Sequence, residues 1–303
     1  LRDLETSLRV HSDKLYRMGI GKAISRSNIA KANAGRDVSI YREMAHEMMR
    51  RASNIAYRDD ILEEISLRFG LSGFFAIDSS TVSLSLDRFK WSIPQEDSGG
   101  IKLHTMYDLL RKVPAMCLIT GHEERDQTFM EDYAYREGCM YVLDRIYFKT
   151  SGLYRITCAK AFFITRIKKN VCYDIVASAQ VDGIRVLADE TIIFTSRWAS
   201  QGYPQKMRLI KYYSSENNEL LCFVTNNFDL DAATISLLYK YRWQIESFFK
   251  WIKQHLRITS FYGTSANAVM IQIYTAFTAF CMLAVAADNL KHEGSLYEFA
   301  NMM

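Results

Sequence analysis

Three acidic residues hold most of the chemistry this sequence can offer: Asp78 in AIDSST, Asp144 in VLDRIY and Glu246 in RWQIESFF. Asp78 follows a run of four apolar residues that reads as a short buried strand, which places its carboxylate at the strand exit. CMYVL delivers Asp144 in the same way. Two carboxylates at the ends of neighbouring strands, with a third on a helix, make an oxygen cage for hard divalent cations, Mg²⁺ first and Mn²⁺ as its substitute. Two such ions about 4 Å apart can activate a water and stabilise the leaving oxygen of a phosphodiester. Each position also has a structural reading, because an Asp after a strand often forms a turn or caps a helix.

The third carboxylate lies in Tyr239–Lys253, YKYRWQIESFFKWIK. Wound as one α-helix at about 100° per residue, this stretch sets Arg242, Glu246 and Lys253 within an arc of roughly 60° that begins at Tyr239. Trp243 and Lys250 border the arc, and Leu238, Ile245, Phe249, Ile252 and Leu256 form an apolar stripe beside it. Arg242 and Lys253 suit phosphates on either side of a scissile one, Arg by bidentate contact. Tyr239 can donate to a phosphate or stack on a base, and Trp243 can stack or pack. The alternative is a surface helix with ordinary Glu–Lys pairs. His104 reads as structural within a strand and His122 as a loop residue.

The elements that must position these residues read as an α/β fold. Residues 1–70 are helical, with Ser25 or Ser27 able to cap the helix in ISRSNIAKANAG. Lys22, Arg26, Lys31 and Arg36 make this region either a DNA-contacting module or a solvated helical face. Strands follow in GFFAIDSS, GGIKLHTMYDLL and VPAMCLIT, then a helix over about residues 126–137, the strand ending at Asp144, a helix, and the strand AFFITRIKK. Alternation in VCYDIVASAQV, IRVLADETIIFT and QKMRLIKYYS, parted by DG and SENN, marks a β-rich insertion. LLCFVTNN returns to the core, and Asp229 can cap the helix that follows.

Composition agrees with a globular chain: 303 residues, 49% hydrophobic, 24% charged, three prolines, net charge +4. Residues 1–60 hold 12 Lys/Arg against 8 Asp/Glu, and the remainder 26 against 26, so the basic excess sits at the N-terminal end. The six cysteines are scattered without C-x-x-C spacing, which reads as reduced thiols of a cytosolic protein and neither a disulfide framework nor a zinc site. Residues 269–287 have nearly the length of a membrane span, but Gln272, Thr275 and Thr278 interrupt them, and a buried core helix is the better reading.

Tyr239, Arg242, Glu246 and Lys253 stand as Y-x2-R-x3-E-x6-K, which resembles the signature of the insertion-sequence-four family of DDE transposases. AIDSST and VLDRIY resemble that family's two aspartate motifs, and FFITRIKKN, FVTNN and ISRSNIAKANAGRD extend the likeness over nearly the whole chain. The resemblance implies a ribonuclease H-like mixed sheet flanked by helices, divided as residues 71–170 and 220–262. A helical N-terminal region (1–70), a β-rich insertion (171–219) and a C-terminal helical segment (263–303) complete it. It implies Asp78, Asp144 and Glu246 as catalytic metal ligands and Tyr239, Arg242, Lys253 and Trp243 as DNA contacts. It also implies a homodimer in the bacterial cytoplasm, at the nucleoid and off the membrane. Its partners are duplex DNA with terminal inverted repeats and a target DNA. If cleavage passes through a hairpin, Trp198 and Trp243 are both candidates for stacking a flipped base. Ile146 departs from the family, which has a small residue there, and distortion of the Asp144 turn is the expected effect. The start at Leu1 and the end in KHEGSLYEFANMM suggest a shortened copy. The rival functions are a structure-specific nuclease and a DNA-binding protein that does not cut.

Overall fold

Period-two burial along β1 (Gly73–Leu84) sets the architecture. Phe74 and Ala76 join one core cluster while Phe75 and Ile77 join another, so this strand is buried on both faces. The computed structural model of the protein describes all residues except 18, 22–23, 86, 93–98, 125, 127–128, 182–184, 217 and 303. Lys22 and the DG turn therefore lie outside the described residues, as does Asn217 of SENN.

β1 pairs antiparallel with β2 (Gly99–Asp108), from Phe75 opposite Asp108 to Leu84 opposite Gly99. It is longer than the short strand expected, because Val82 and Leu84 continue to bury after the polar middle. Asp78 thus lies within the strand and not at its exit. On its other side β1 pairs in parallel with β4 (Cys139–Leu143), and that pairing stops at Ile77 opposite Leu143. β3 (Val113–Gly121) pairs only with β2, and an edge position tolerates Pro114. β5 (Phe162–Arg166) runs parallel to β4. β9 (Glu219–Thr225) then adds antiparallel to β5, followed by β8 (Met207–Ser214), β7 (Val186–Phe194) and β6 (Tyr173–Ser178). Among the described residues the order is β3-β2-β1-β4-β5-β9-β8-β7-β6, one mixed sheet in which the strands of 171–219 continue the core edgewise.

Helices flank both faces. One face carries α3 (Val38–Ala52), α4 (Asp60–Phe69), α8 (Ala232–Tyr241), α9 (Trp243–His255) and α10 (Ala266–Asn289), through residues such as Met49, Leu62, Leu238, Phe248 and Phe277. The other carries α5 (Phe129–Asp132), α6 (Thr150–Cys158) and α7 (Arg197–Gly202). α1 (Arg2–Val10) and α2 (Arg26–Gly35) precede α3, and α11 (Leu296–Met302) ends the chain. Ser25 caps α2, accepting from Asn28 N–H. α10 is long and apolar enough to cross a membrane, yet 61% of its most apolar window is buried inside the protein. The Thr275 and Thr278 hydroxyls return to the carbonyls of Ile271 and Tyr274, which satisfies them within the helix.

Several local expectations are corrected. Among the described residues, the helix expected over residues 126–137 is found as α5. Residues 133–136 are irregular because the Tyr135 hydroxyl donates to Met130 O and Arg136 N–H donates to the Tyr141 hydroxyl, locking an aromatic cluster. Between β7 and β8, where no helix is expected, the chain forms α7. Asp231, not Asp229, caps α8 by accepting from Thr234 N–H, while Asp229 N–H donates to Asn227. The single helix drawn through Tyr239–Lys253 is two helices, α8 and α9, which meet at Arg242.

Candidate active site

The two aspartates reach one place by register. In β1 the residues Phe74, Ala76 and Asp78 share a face, and in β4 Met140 and Val142 share the matching one, with Asp144 next in step. Asp78 and Asp144 are one position past the last parallel pair, and that face is the one covered by α8, α9 and α10. Asp144 also caps a 3₁₀ turn, Arg145–Tyr147, by accepting from Ile146 N–H at 2.9 Å. The Ile146 side chain is half exposed and that capping bond is intact, so the expected distortion of the turn is absent.

Arg242 joins the three acids. Its Nη2 lies 2.7 Å from Glu246 Oε1, and its Nη1 lies 3.4 Å from Asp78 Oδ2 and 3.8 Å from Asp144 Oδ2. Arg242, the single residue between α8 and α9, keeps right-handed helical φ and ψ, and the i, i+4 spacing brings Glu246 to it. Tyr239 sits beneath, 9% exposed, with its ring 4.7 Å from that of Phe223 and 5.7 Å from the guanidinium carbon. Tyr239 therefore backs Arg242 and is not open for base stacking. Lys253 Nζ donates to Thr81 O at 2.9 Å on the β1 side, and burial lowers its ammonium from the ordinary value. Trp243 is 66% exposed and Trp198, on α7, 84% exposed. Asp144, Tyr239, Arg242 and Trp243 line an open groove of about 1260 Å³. Asp78, Glu246 and Lys253 line a smaller one of about 490 Å³.

Electrostatics follow from this crowding. Burial pushes the Asp78 carboxyl up to about 7, against the Ser79 N–H and Arg242, with Asp144 and Glu246 adding to the rise. Three oxygen-donor acids around one fixed cation form a site whose charge calls for a positive partner, and the donor chemistry fits a hard divalent ion. Among the described residues no group of three His, Cys, Asp or Glu is close enough to hold a metal ion by itself, since the guanidinium lies between the acids.

Two residues that the sequence did not single out also belong to this neighbourhood. Ser79 N–H donates to Asp78 Oδ1 at 2.8 Å, and the Ser79 hydroxyl donates to Asp126 at 2.5 Å. Asp126 falls in a stretch that reads as helix, and it meets Ser79 from 47 residues along the chain, which no local pattern reports. His104 is fully buried, stacked on Phe129 with its Nε2 2.9 Å from Thr120 Oγ1, in keeping with a structural role.

An α/β chain that gathers three acids and a basic helix face beside two adjacent interior strands is of the class that works on phosphodiesters. The profile of the transposase DDE domain matches residues 70–282, and the chain belongs to that family of DDE transposases. The protein named as transposase y4zB in Sinorhizobium fredii is 31% identical over 264 residues, covering 86% of this chain and 70% of its own length. A transposase for insertion sequence element IS5377 of Geobacillus stearothermophilus is 29% identical, over 72% of this chain and 57% of its own length. One for element IS4SA of Synechocystis is 24% identical, over 87% and 72%. A solved piggyBac transposase synaptic complex with hairpin DNA aligns at TM-score 0.41 and 10% identity, over 76% of this chain and 51% of that one, too distant to define the fold. Membership in the family implies use of a divalent metal and DNA as partner.

Proposed function

We propose that this chain cuts the ends of a mobile DNA element and joins them to a target, with Asp78, Asp144 and Glu246 holding Mg²⁺, or Mn²⁺ in its place. The observation that carries this reading is the convergence of the three acids on the Arg242 guanidinium. When bound, the metal supplies Lewis-acid charge to the scissile phosphate and its attacking oxygen. Water attacks one phosphodiester and breaks its P–O3′ bond, leaving a 3′-hydroxyl and a 5′-phosphate, and that hydroxyl then attacks a target phosphodiester and displaces the target strand's own 3′-oxygen as a new 3′-hydroxyl. Arg242 gives up the acids and turns to a phosphate, as a planar fork suits. Tyr239 buttresses the Arg242 guanidinium, Lys253 neutralises a flanking phosphate, and Trp243 presents a face for stacking a base. The strand order β3-β2-β1-β4-β5, antiparallel then parallel, supports a ribonuclease H-like core. The substrate is duplex DNA with terminal inverted repeats, held by a homodimer in the bacterial cytoplasm.

The test uses the duplex ends flanking the coding sequence, pre-cleaved ends and a target plasmid in Mg²⁺. Asp78→Ala, Asp144→Ala and Glu246→Ala should each abolish cutting and joining while leaving the gel shift with end DNA in place. Undiminished cutting by any one variant removes that residue from the site, and cutting without joining makes the protein a nuclease.

A further inference from the structure

We infer that Asp126 is a positioning residue which, through Ser79, fixes the orientation of the Asp78 carboxylate for metal binding. The inference rests on the metal reading above and concerns the opposite face of the sheet. Asp78 points to the α8–α10 layer, whereas Ser79, next along β1, points to the layer of α5 and α6. There its hydroxyl donates to Asp126 Oδ1 at 2.5 Å, and Asp126 is only 7% exposed.

Asp126 is itself held. Lys102 Nζ lies 3.4 Å from Asp126 Oδ2 and donates to Glu124 O at 2.7 Å. His104 Nδ1 is 3.8 Å from Asp126 Oδ1 and makes no hydrogen bond, while burial lowers that imidazole below its ordinary range. The register of β1 against β2 sets Ser79 opposite His104 and Thr81 opposite Lys102, so the clamp is built on the neighbouring strand. Among the described residues Asp126 is met by the Lys102 ammonium and the Ser79 hydroxyl. Ser79 in turn directs its backbone N–H to Asp78 Oδ1 at 2.8 Å. A buried acid that pins a side chain pins its peptide too. That peptide sets which Asp78 oxygen is tied and leaves Oδ2 aimed at the centre shared with Arg242. Partners of this kind, one bond behind a metal ligand, typically change metal affinity about 10–100-fold when removed.

The experiment is a Mn²⁺ titration of the whole chain without DNA, followed by the electron paramagnetic resonance signal of free Mn²⁺, with thermal melts of the metal-free protein alongside. Ser79→Ala should melt close to the wild type yet bind Mn²⁺ about tenfold more weakly. Ser79→Thr, which keeps the hydroxyl, should restore the affinity. Asp126→Ala should reproduce the Ser79→Ala defect, and in the double variant the loss should not deepen. Wild-type affinity in a folded Ser79→Ala overturns the positioning role while the metal site stands. A wild-type protein that does not bind Mn²⁺ removes the metal site itself and this inference with it.

Discussion

Asp78 is the residue where burial and charge oppose each other most sharply. Its carboxyl holds a proton up to about 7, whereas its ordinary value is 3.8. Between those values the unfolded chain binds fewer protons than the folded one, so stability falls as pH rises through the interval and stays lowered above it. Asp78→Asn removes that ionisation. In EDTA it should melt several degrees above wild type at pH 8 and within about a degree of it at pH 4, a difference on the order of a few kcal/mol. An equal shift at both pH values would show that desolvation of Asp78 is not the cause. Cation binding needs the ionised form, so metal-dependent cutting should decline as pH drops below 7. At this scale much was legible. A short apolar run before each Asp, and the i, i+4 placement of Arg242 and Glu246, are local patterns. The burial of the Tyr239 ring depends on Phe223 from a different strand, which no spacing along the helix reports.

At the scale of elements, the segment leading into α8 is anchored by a buried ion pair. Arg208 on β8 holds Asp189 on β7 through Nε at 2.8 Å and Nη2 at 2.6 Å, and its Nη1 donates to the carbonyls of Leu230 and Asn227. The pair thereby ties two strands of the 171–219 stretch to the turn before the helix pair bearing Arg242 and Glu246. Arg208→Ala leaves a buried acid unpaired and should cost about 3–5 kcal/mol in denaturant unfolding, while Arg208→Met with Asp189→Leu should recover most of it. A loss under about 1 kcal/mol for the single variant would mean that the anchor is solvated. The break between α8 and α9 was hidden for a related reason. Tyr239–Lys253 has continuous helical periodicity, and Arg242 turns inward to meet Asp78, 164 residues away in the chain. Local propensity cannot weigh a partner that distant. Likewise the extension of β1 past Asp78 depends on its long pairing with β2, not on its own polar SSTVS.

Over the whole molecule, the stretch read as an insertion shares both cores with the rest. Val186 and Ile210 belong to the cluster under α8–α10, and Ile192, Met207 and Leu209 to the cluster with α6. The seam is short, Ile164 to Arg166 of β5 against Phe223 to Thr225 of β9, but the side chains on both faces cross it. Unfolding should therefore follow one transition by circular dichroism and by tryptophan fluorescence, and separate midpoints would contradict a shared core. The α/β class was legible from alternating strand and helix patterns, whereas the joining of all the strands into one sheet was not, since pairing partners lie far apart in the chain. On DNA, Lys253→Ala should weaken binding to end duplexes and lower the salt slope by about one ion, and an unchanged slope would argue against a phosphate contact.

The central claim is that Asp78, Asp144 and Glu246 serve one shared metal site. Fe²⁺ in place of Mg²⁺, with ascorbate and peroxide, cuts a polypeptide next to where the iron is held. The account predicts breaks near residues 78, 144 and 246 together, all suppressed by excess Mg²⁺ and all lost in any one of the three alanine variants. Breaks confined to one of these segments, or surviving at the other two when one acid is removed, would contradict it.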